Sequence, residues 1–307
     1  MKPVHHINVK KGMSVNALIR EMEASGVMQS GKLAKAVGIA EKMITDKKCK
    51  VFMGISGAMV PGGMRQIIID MLKFGWIDCL VTNGANLTHD LAEALGYHHY
   101  QGTDKVDDAD LYKKGIDRIY DSYMPNKVYE GMEDFFHDNF DAIFQKNINI
   151  RQFLWNAGSC LKKESILKVC HDKKIPLFCP GIADCGIGLM VWGQLARGKD
   201  IKILAFDDLK EIIDLAWDKN SKFGVLYIGG GLPKNYIQQS MQFSPSKALY
   251  GVQITTDRPE HGGSSGAELR EGISWGKLDA KAQFVDVACD ATIALPIIFA
   301  ALQERIK

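Results

Sequence analysis

The sequence has almost no excess of charge of either sign. Its 38 basic residues stand against 36 acidic ones, a formal net charge of +2 over 307 residues. A chain built to coat phosphate backbones is more lopsided, so charge lends no support to nucleic-acid binding. Cysteines are scarce and form no pattern. There are seven, an odd number, at Cys49, Cys79, Cys160, Cys170, Cys179, Cys185 and Cys289, and no pair has C-x-x-C spacing. That argues against a disulfide framework and a structural zinc site, and no metal is expected. No run has the length and apolarity of a membrane span. The opening "MKPVHHINVKKGMSVNALIREME" turns polar at once and lacks the apolar core of a signal peptide. The cytoplasm is therefore the expected compartment. No linker rich in Pro, Gly or Ser and no internal repeat divides the chain, so one domain over 1–307 is expected.

What is present is an ordinary globular composition, 46% apolar and 24% charged, enough for a sizeable core. Residues 14–47 read as helices, with Leu18, Ile19 and Met22, then Leu33, Val37, Ile39 and Ile44 marking apolar faces. Beyond them, short apolar runs alternate with helical patterns: "CKVFMGISG", "DCLVTNGAN", "KIPLFCPGIAD", "KFGVLYIGGG", "ALYGVQITTD" and "AQFVDVACD". Continuous apolar runs suit strands buried on both faces, as parallel sheets require. The expected fold is α/β: a doubly wound, mostly parallel sheet with helices on both faces. The more polar and aromatic stretch 107–149 is expected as a helical insertion.

Nearly every strand-like run ends in small or polar residues. They are Gly54, Ser56 and Gly57; Thr82, Asn83 and Gly84; Asp184; Gly229, Gly230 and Gly231; Thr255, Thr256 and Asp257; Asp290 and Ala291. In an open parallel sheet these carboxyl ends share the edge where ligands bind. Glycine lets phosphates approach backbone N–H groups, and a helix N-terminus adds a favourable dipole. Each piece also has a plain reading: "GGG" can be a turn, and Asp184 and Asp290 can be helix N-caps. Together they point to a nucleotide-binding α/β enzyme.

The segment "SGAELREGISWGK" resembles the active-site lysine segment of deoxyhypusine synthases. The resemblance continues through "GGGLPKNYIQQ", "PGIADCGIG", "VTNGANLTHD" and "VDVACDATIALP", from about Gly54 to the C-terminus. It implies a Rossmann-like fold, bound NAD, and a homotetramer made of two dimers with active sites at the dimer interfaces. It makes Lys277 the catalytic amine: spermidine is oxidised beside its secondary amine, and the lysine carries the aminobutyl group as an imine. The acceptor in this family is a lysine of translation initiation factor 5A. Dinucleotide-contacting positions fall on Ser56, Thr82, Asp184, Gly229, Gly230, Gly231, Thr256, Gly262, Asp290 and Ala291, with Asp184 as ribose partner. Amine-substrate positions fall on Glu271 and Trp275, which offer a carboxylate and an indole face to an ammonium.

The chain departs from the family pattern at several amine-binding positions. Leu189, His261 and Ser264 stand where acids are expected, Asn235 replaces a histidine, and His89 replaces a glutamate. A polyamine wants several acids, because each buried unpaired ammonium is costly. Asp257 and Glu260, close by, are candidates to compensate. The second reading is therefore an aminoalkyltransferase of the same fold with a small amine acceptor, such as a homospermidine synthase-like enzyme. A non-catalytic paralogue is the third, and retention of Lys277, Glu271 and Trp275 argues against it.

Overall fold

The computed structural model describes residues 1–306, and the chain divides into two compact units. The first comprises Met1–Ser56, Gly75–Val81 and Leu209–Lys307; the second comprises Gly57–Phe74 and Thr82–Asp208.

Five strands run side by side in the first unit: β1 (Cys49–Ile55), β2 (Cys79–Thr82, whose last residue already counts with the second unit), β3 (Lys222–Ile228), β4 (Ala248–Thr255) and β5 (Leu278–Ala288). Their order is β2-β1-β3-β4-β5, and β1–β3, β3–β4 and β4–β5 pair in parallel. β1 and β3 are almost wholly buried, which explains their unbroken apolar runs. Helices cover both sheet faces, and two glycines show it. A Cβ on Gly224 of β3 would lie 3.0 Å from Met43 of helix Met28–Thr45. A Cβ on Gly54 of β1 would lie 3.0 Å from its register partner Tyr227 and 3.3 Å from Ile237 of helix Gly231–Gln242. Gly224 and Tyr227 are an odd number of residues apart on one strand, so they face opposite sides. Small residues Ala34, Ala36 and Ala40 let helix Met28–Thr45 sit close on the sheet. The preceding helix, Val15–Ser25, is capped by Ser14, whose Oγ accepts from Ala17 N at 3.2 Å and donates to Glu304 at 2.7 Å. The N-terminal helices thus fall within the stretch expected for them, and the fold is α/β with a mostly parallel, Rossmann-like sheet.

The second unit is largely helical. Helix Arg65–Lys73, helix Gly84–Leu95 and helix Ile166–Asp172 meet at Asp90, whose side chain is 0% exposed. One carboxylate oxygen accepts from Arg65 Nε at 2.8 Å and Ile166 N at 3.0 Å, the other from Leu167 N at 3.0 Å. Residues 107–149, expected as helical, carry helices Asp108–Lys113, Val128–Asp138 and Phe140–Ile143 and also an antiparallel hairpin. The hairpin pairs Ile116–Ile119 with Ser122–Pro125 around the two-residue loop Tyr120–Asp121, with Tyr120 at φ 56°. Its runs are too short and too evenly half-exposed for a periodicity to show. Phe136 stacks on Phe153 at 6.0 Å between ring centroids, and Phe144 lies 5.4 Å from Phe153, fixing the helices around them. Among the described residues no helix is long and apolar enough to cross a membrane.

Candidate active site

The glycine run after β3 brings three chain segments of the first unit into contact. Gly229 N donates to Ile254 O of β4 at 2.8 Å, and Gly230 N donates to Ser56 Oγ, just past β1, at 2.8 Å. Gly230 is required by close approach: a Cβ there would sit 2.3 Å from Ser265 Cα and 2.7 Å from Ser265 O. Ser264 Oγ also donates to Gly231 O at 3.3 Å. Helix Gly231–Gln242 begins here without a side-chain cap, so the run presents a helix N-terminus that can take a phosphate. Gly230→Ala should therefore force the segment at Ser265 away, at a cost of about 1–3 kcal/mol. Urea unfolding checks it; an unchanged midpoint would mean that the segment yields freely.

The segment that continues from Ser265 carries the lysine. Gln253 Nε2 donates to Ala267 O at 3.2 Å, Lys234 Nζ donates to the same carbonyl, and Leu269 N donates to Asp286 Oδ1 at 3.0 Å. A short helix follows, Glu271–Ser274, and its ending explains the W-G-K order. Gly276 adopts φ 68°, its N–H bonds Ile273 O at 3.0 Å, and Lys277 N–H bonds Gly272 O at 2.8 Å. This is a Schellman stop, which needs glycine at its left-handed position. Lys277 is the first residue beyond it, immediately before β5.

Lys277 Nζ lies 4.8 Å from the centroid of the Trp275 ring. Partial burial pushes the Lys277 ammonium below the usual lysine value, and the Glu271 carboxylate opposes that. Trp275 is 57% exposed, so it is no core anchor; its indole is open to a ligand or a second chain.

Most of the remaining expected residues of this unit lie at the carboxyl ends of β4 and β5. Thr256 and His261 are exposed, and Gly262 closes the short 3-10 turn Pro259–His261 at φ 71°. Asn235 is half-buried on helix Gly231–Gln242. Asp290 caps helix Ala291–Arg305, accepting from Thr292 N at 2.8 Å, and the Thr292 bonds hold its carboxyl below the usual range. Ala291, buried, is that helix's first residue.

Thr82 and Asp184 belong to the second unit. Thr82 Oγ1 accepts from Asn86 Nδ2 at 3.2 Å, Asn83 caps helix Gly84–Leu95, and a Cβ on Gly84 would strike Cys185 Sγ at 2.4 Å. That close approach sets the exposed Asp184 beside the start of this helix. Leu189 is exposed on helix Gly186–Ala196.

Sequence reasoning missed Lys234, Gln253 and Asp286 in the first unit and Glu93 and His99 in the second. Lys234 shares the buried face of its helix with Ile237 and Met241, a spacing that places a lysine on an apolar stripe. His99 Nδ1 meets Glu93 Oε1 at 2.8 Å, and its Nε2 meets His89 Nδ1 at 2.8 Å. Burial, helped by His99, pushes the His89 imidazolium down to about 4, so this ring is neutral at ordinary pH.

Three comparisons place this geometry among known proteins. The deoxyhypusine synthase family model matches residues 17–302. A Methanosarcina mazei protein described as "Probable deoxyhypusine synthase 1" is 42% identical, covering 99% of this chain and 96% of its own. An Archaeoglobus fulgidus protein of the same description is 39% identical, covering 97% of this chain and 96% of its own. In fold, the chain is similar to the crystal structure of a "putative deoxyhypusine synthase" from Entamoeba histolytica, with TM-score 0.67 and 18% identity over 95% of this chain and 93% of that one. The chain belongs to the deoxyhypusine synthase family and is an enzyme of the transferase class.

Proposed function

We propose that the protein transfers the aminobutyl group of spermidine, in an NAD-dependent reaction, through an imine on Lys277 to a lysine of translation initiation factor 5A. The observation that carries this reading is the position of Lys277: fixed behind the Schellman stop, partly desolvated, beside Trp275 and in the field of Glu271.

Bound NAD supplies a hydride acceptor for oxidation of the carbon beside the secondary amine, and later returns the hydride. In the first unit the residues proposed to hold it are Ser56, Gly229–Gly231, Thr256, Gly262, Asp290 and Ala291. Thr82 and Asp184, which the family resemblance adds to the dinucleotide-contacting positions, lie in the second unit. The uncapped helix start and the open space beside Gly231 fit its phosphates.

The chain's own part is amine chemistry. Glu271 attracts a substrate ammonium, and the open face of Trp275 holds a cation by its quadrupole. The neutral Lys277 Nζ forms a bond to the four-carbon fragment as that carbon's bond to the departing diaminopropane nitrogen breaks. An acceptor amine then takes the fragment from Lys277 and frees the lysine. A second copy covering the exposed Trp275 would complete a dry site, in keeping with a homotetramer of two dimers.

A small amine acceptor is the second reading. Leu189, His261 and Ser264 in place of acids favour it, because they suit a less charged amine than spermidine. The deciding experiment supplies NAD and a labelled donor, spermidine in one arm and the less charged putrescine in another, with either factor 5A or unlabelled putrescine as acceptor. Label is expected on the factor 5A lysine at least about tenfold faster than on putrescine. Label on putrescine alone selects the second reading, and label on neither overturns both.

A further inference from the structure

Residues 265–270 lead to the lysine but belong to no helix or strand. Backbone polar groups in such a stretch need partners outside it. Here they find them in side chains of β4 and β5. Gln253 Nε2 donates to Ala267 O at 3.2 Å and to Ser265 O at 3.4 Å, and Asp286 Oδ1 accepts from Leu269 N at 3.0 Å. The three backbone groups alternate along the chain. Gln253 and Asp286 are register partners on neighbouring strands, so a single rung of the sheet holds all three.

The rung before it seats a side chain. Gly251 and Phe284 are register partners two residues ahead of Gln253 and Asp286, on the same face. Leu269, 1% exposed, fills the place beside them. A Cβ on Gly251 would lie 3.1 Å from Leu269 Cδ1 and 3.3 Å from Phe284 Cβ. Gln253 is itself 1% exposed, and burial pushes the Asp286 carboxyl up against the opposing Leu269 N–H. Apolar residues would fill this rung without any loss of hydration. What the polar pair adds is a fixed place and direction for the backbone at Leu269.

From that seat two hydrogen bonds lead to the lysine. Leu269 O accepts from Gly272 N at 3.0 Å, and Gly272 O accepts from Lys277 N at 2.8 Å. Gly272 also lies against the lysine, since a Cβ on it would be 3.6 Å from Lys277 Cβ. A shift at Leu269 is therefore passed on to Lys277 through short links, with no slack loop to absorb it. We propose that Gln253 and Asp286 are positioning residues for the transfer reaction: their rung fixes Leu269 and, through Gly272, the place from which Lys277 reaches the substrate carbon.

This rests on Lys277 being the imine-forming amine. The test is single-turnover formation of the borohydride-trapped adduct on Lys277 from NAD and labelled spermidine. Two quantities are read: the amplitude, and the rate constant with both substrates saturating. Gln253→Met keeps the length and removes both donated bonds; Asp286→Ala removes the acceptor, and Asp286→Asn keeps one. Gln253→Met and Asp286→Ala should each lower the rate constant by about a hundredfold, with the amplitude kept and half-saturating spermidine within about threefold of wild type. Asp286→Asn, whose amide oxygen still accepts from Leu269 N, should lose less than about fivefold. A role confined to stability lowers the amplitude with the urea midpoint and leaves the rate constant alone, and that result overturns the proposal. Wild-type rate constants in both removal variants overturn it too, and in either case the adduct on Lys277 leaves the imine reading standing. A wild-type protein that forms no adduct overturns both. Should one removal variant not fold, the other decides.

Discussion

Lys277→Ala is expected to abolish the covalent adduct that borohydride traps from labelled spermidine and NAD, and to lower turnover by at least about a thousandfold. The size of the effect follows from the role: no other group on the segment from Ser265 to Leu278 can form and release an imine. Lys277→Arg sharpens the test. It keeps a cation at the same place over Trp275, but a guanidinium stays protonated and cannot act as a neutral amine. Both variants should still fold, because the Schellman stop uses the Lys277 backbone N–H and the conformation of Gly276, not the side chain. NAD binding, read by equilibrium dialysis, should persist in both. Normal turnover in Lys277→Arg would remove the lysine from the mechanism.

Asp90→Ala should be the most damaging single change to the second unit, lowering its unfolding free energy by about 3–5 kcal/mol. The carboxylate is wholly buried and has three partners: Arg65 Nε and the first two N–H groups of helix Ile166–Asp172. Removal leaves a guanidinium with its Glu164 carbonyl contact alone and two amide donors without an acceptor. Hydrogen exchange gives the local readout, since the Ile166 and Leu167 amides should lose protection before those of β3. A loss below about 1 kcal/mol would show that water replaces the carboxylate at all three donors. Asp90→Asn should fall between the two, because its amide nitrogen would face donors.

The sheet was legible in the sequence for a physical reason. β1 and β3 are buried on both faces, and such strands show as unbroken apolar runs whose ends mark the ligand edge. The W-G-K order was recognised only through the family resemblance; that its glycine stops a helix came from the structure, because a four-residue helix is too short to show a periodicity. The hairpin of the second unit was not legible, because its short strands are half-exposed along their length. The division into two units was equally hidden. The chain leaves the first unit after Ser56, returns for Gly75–Val81 and returns again at Leu209, and no linker rich in Pro, Gly or Ser announces the crossings. Lys234 was overlooked because a lysine is read as solvated until its helical neighbours Ile237 and Met241 show that its face is inside. The histidine chain depends on His99 folding back past the end of helix Gly84–Leu95, and no periodicity predicts such a return.

The contact between Gly230 and Ser265 carries a consequence for inheritance. With no room for even one carbon between the glycine run and the start of the lysine segment, the two behave as lock and key cut from one blank. A chimera that took "GGGLPK" from one relative and "SGAELREGISWGK" from another would have to match at that junction before any chemistry could be compared. By packing alone, a new side chain is easier to accommodate at residues such as Leu189 and His261, which lie open to solvent, than at the seam where the two segments touch.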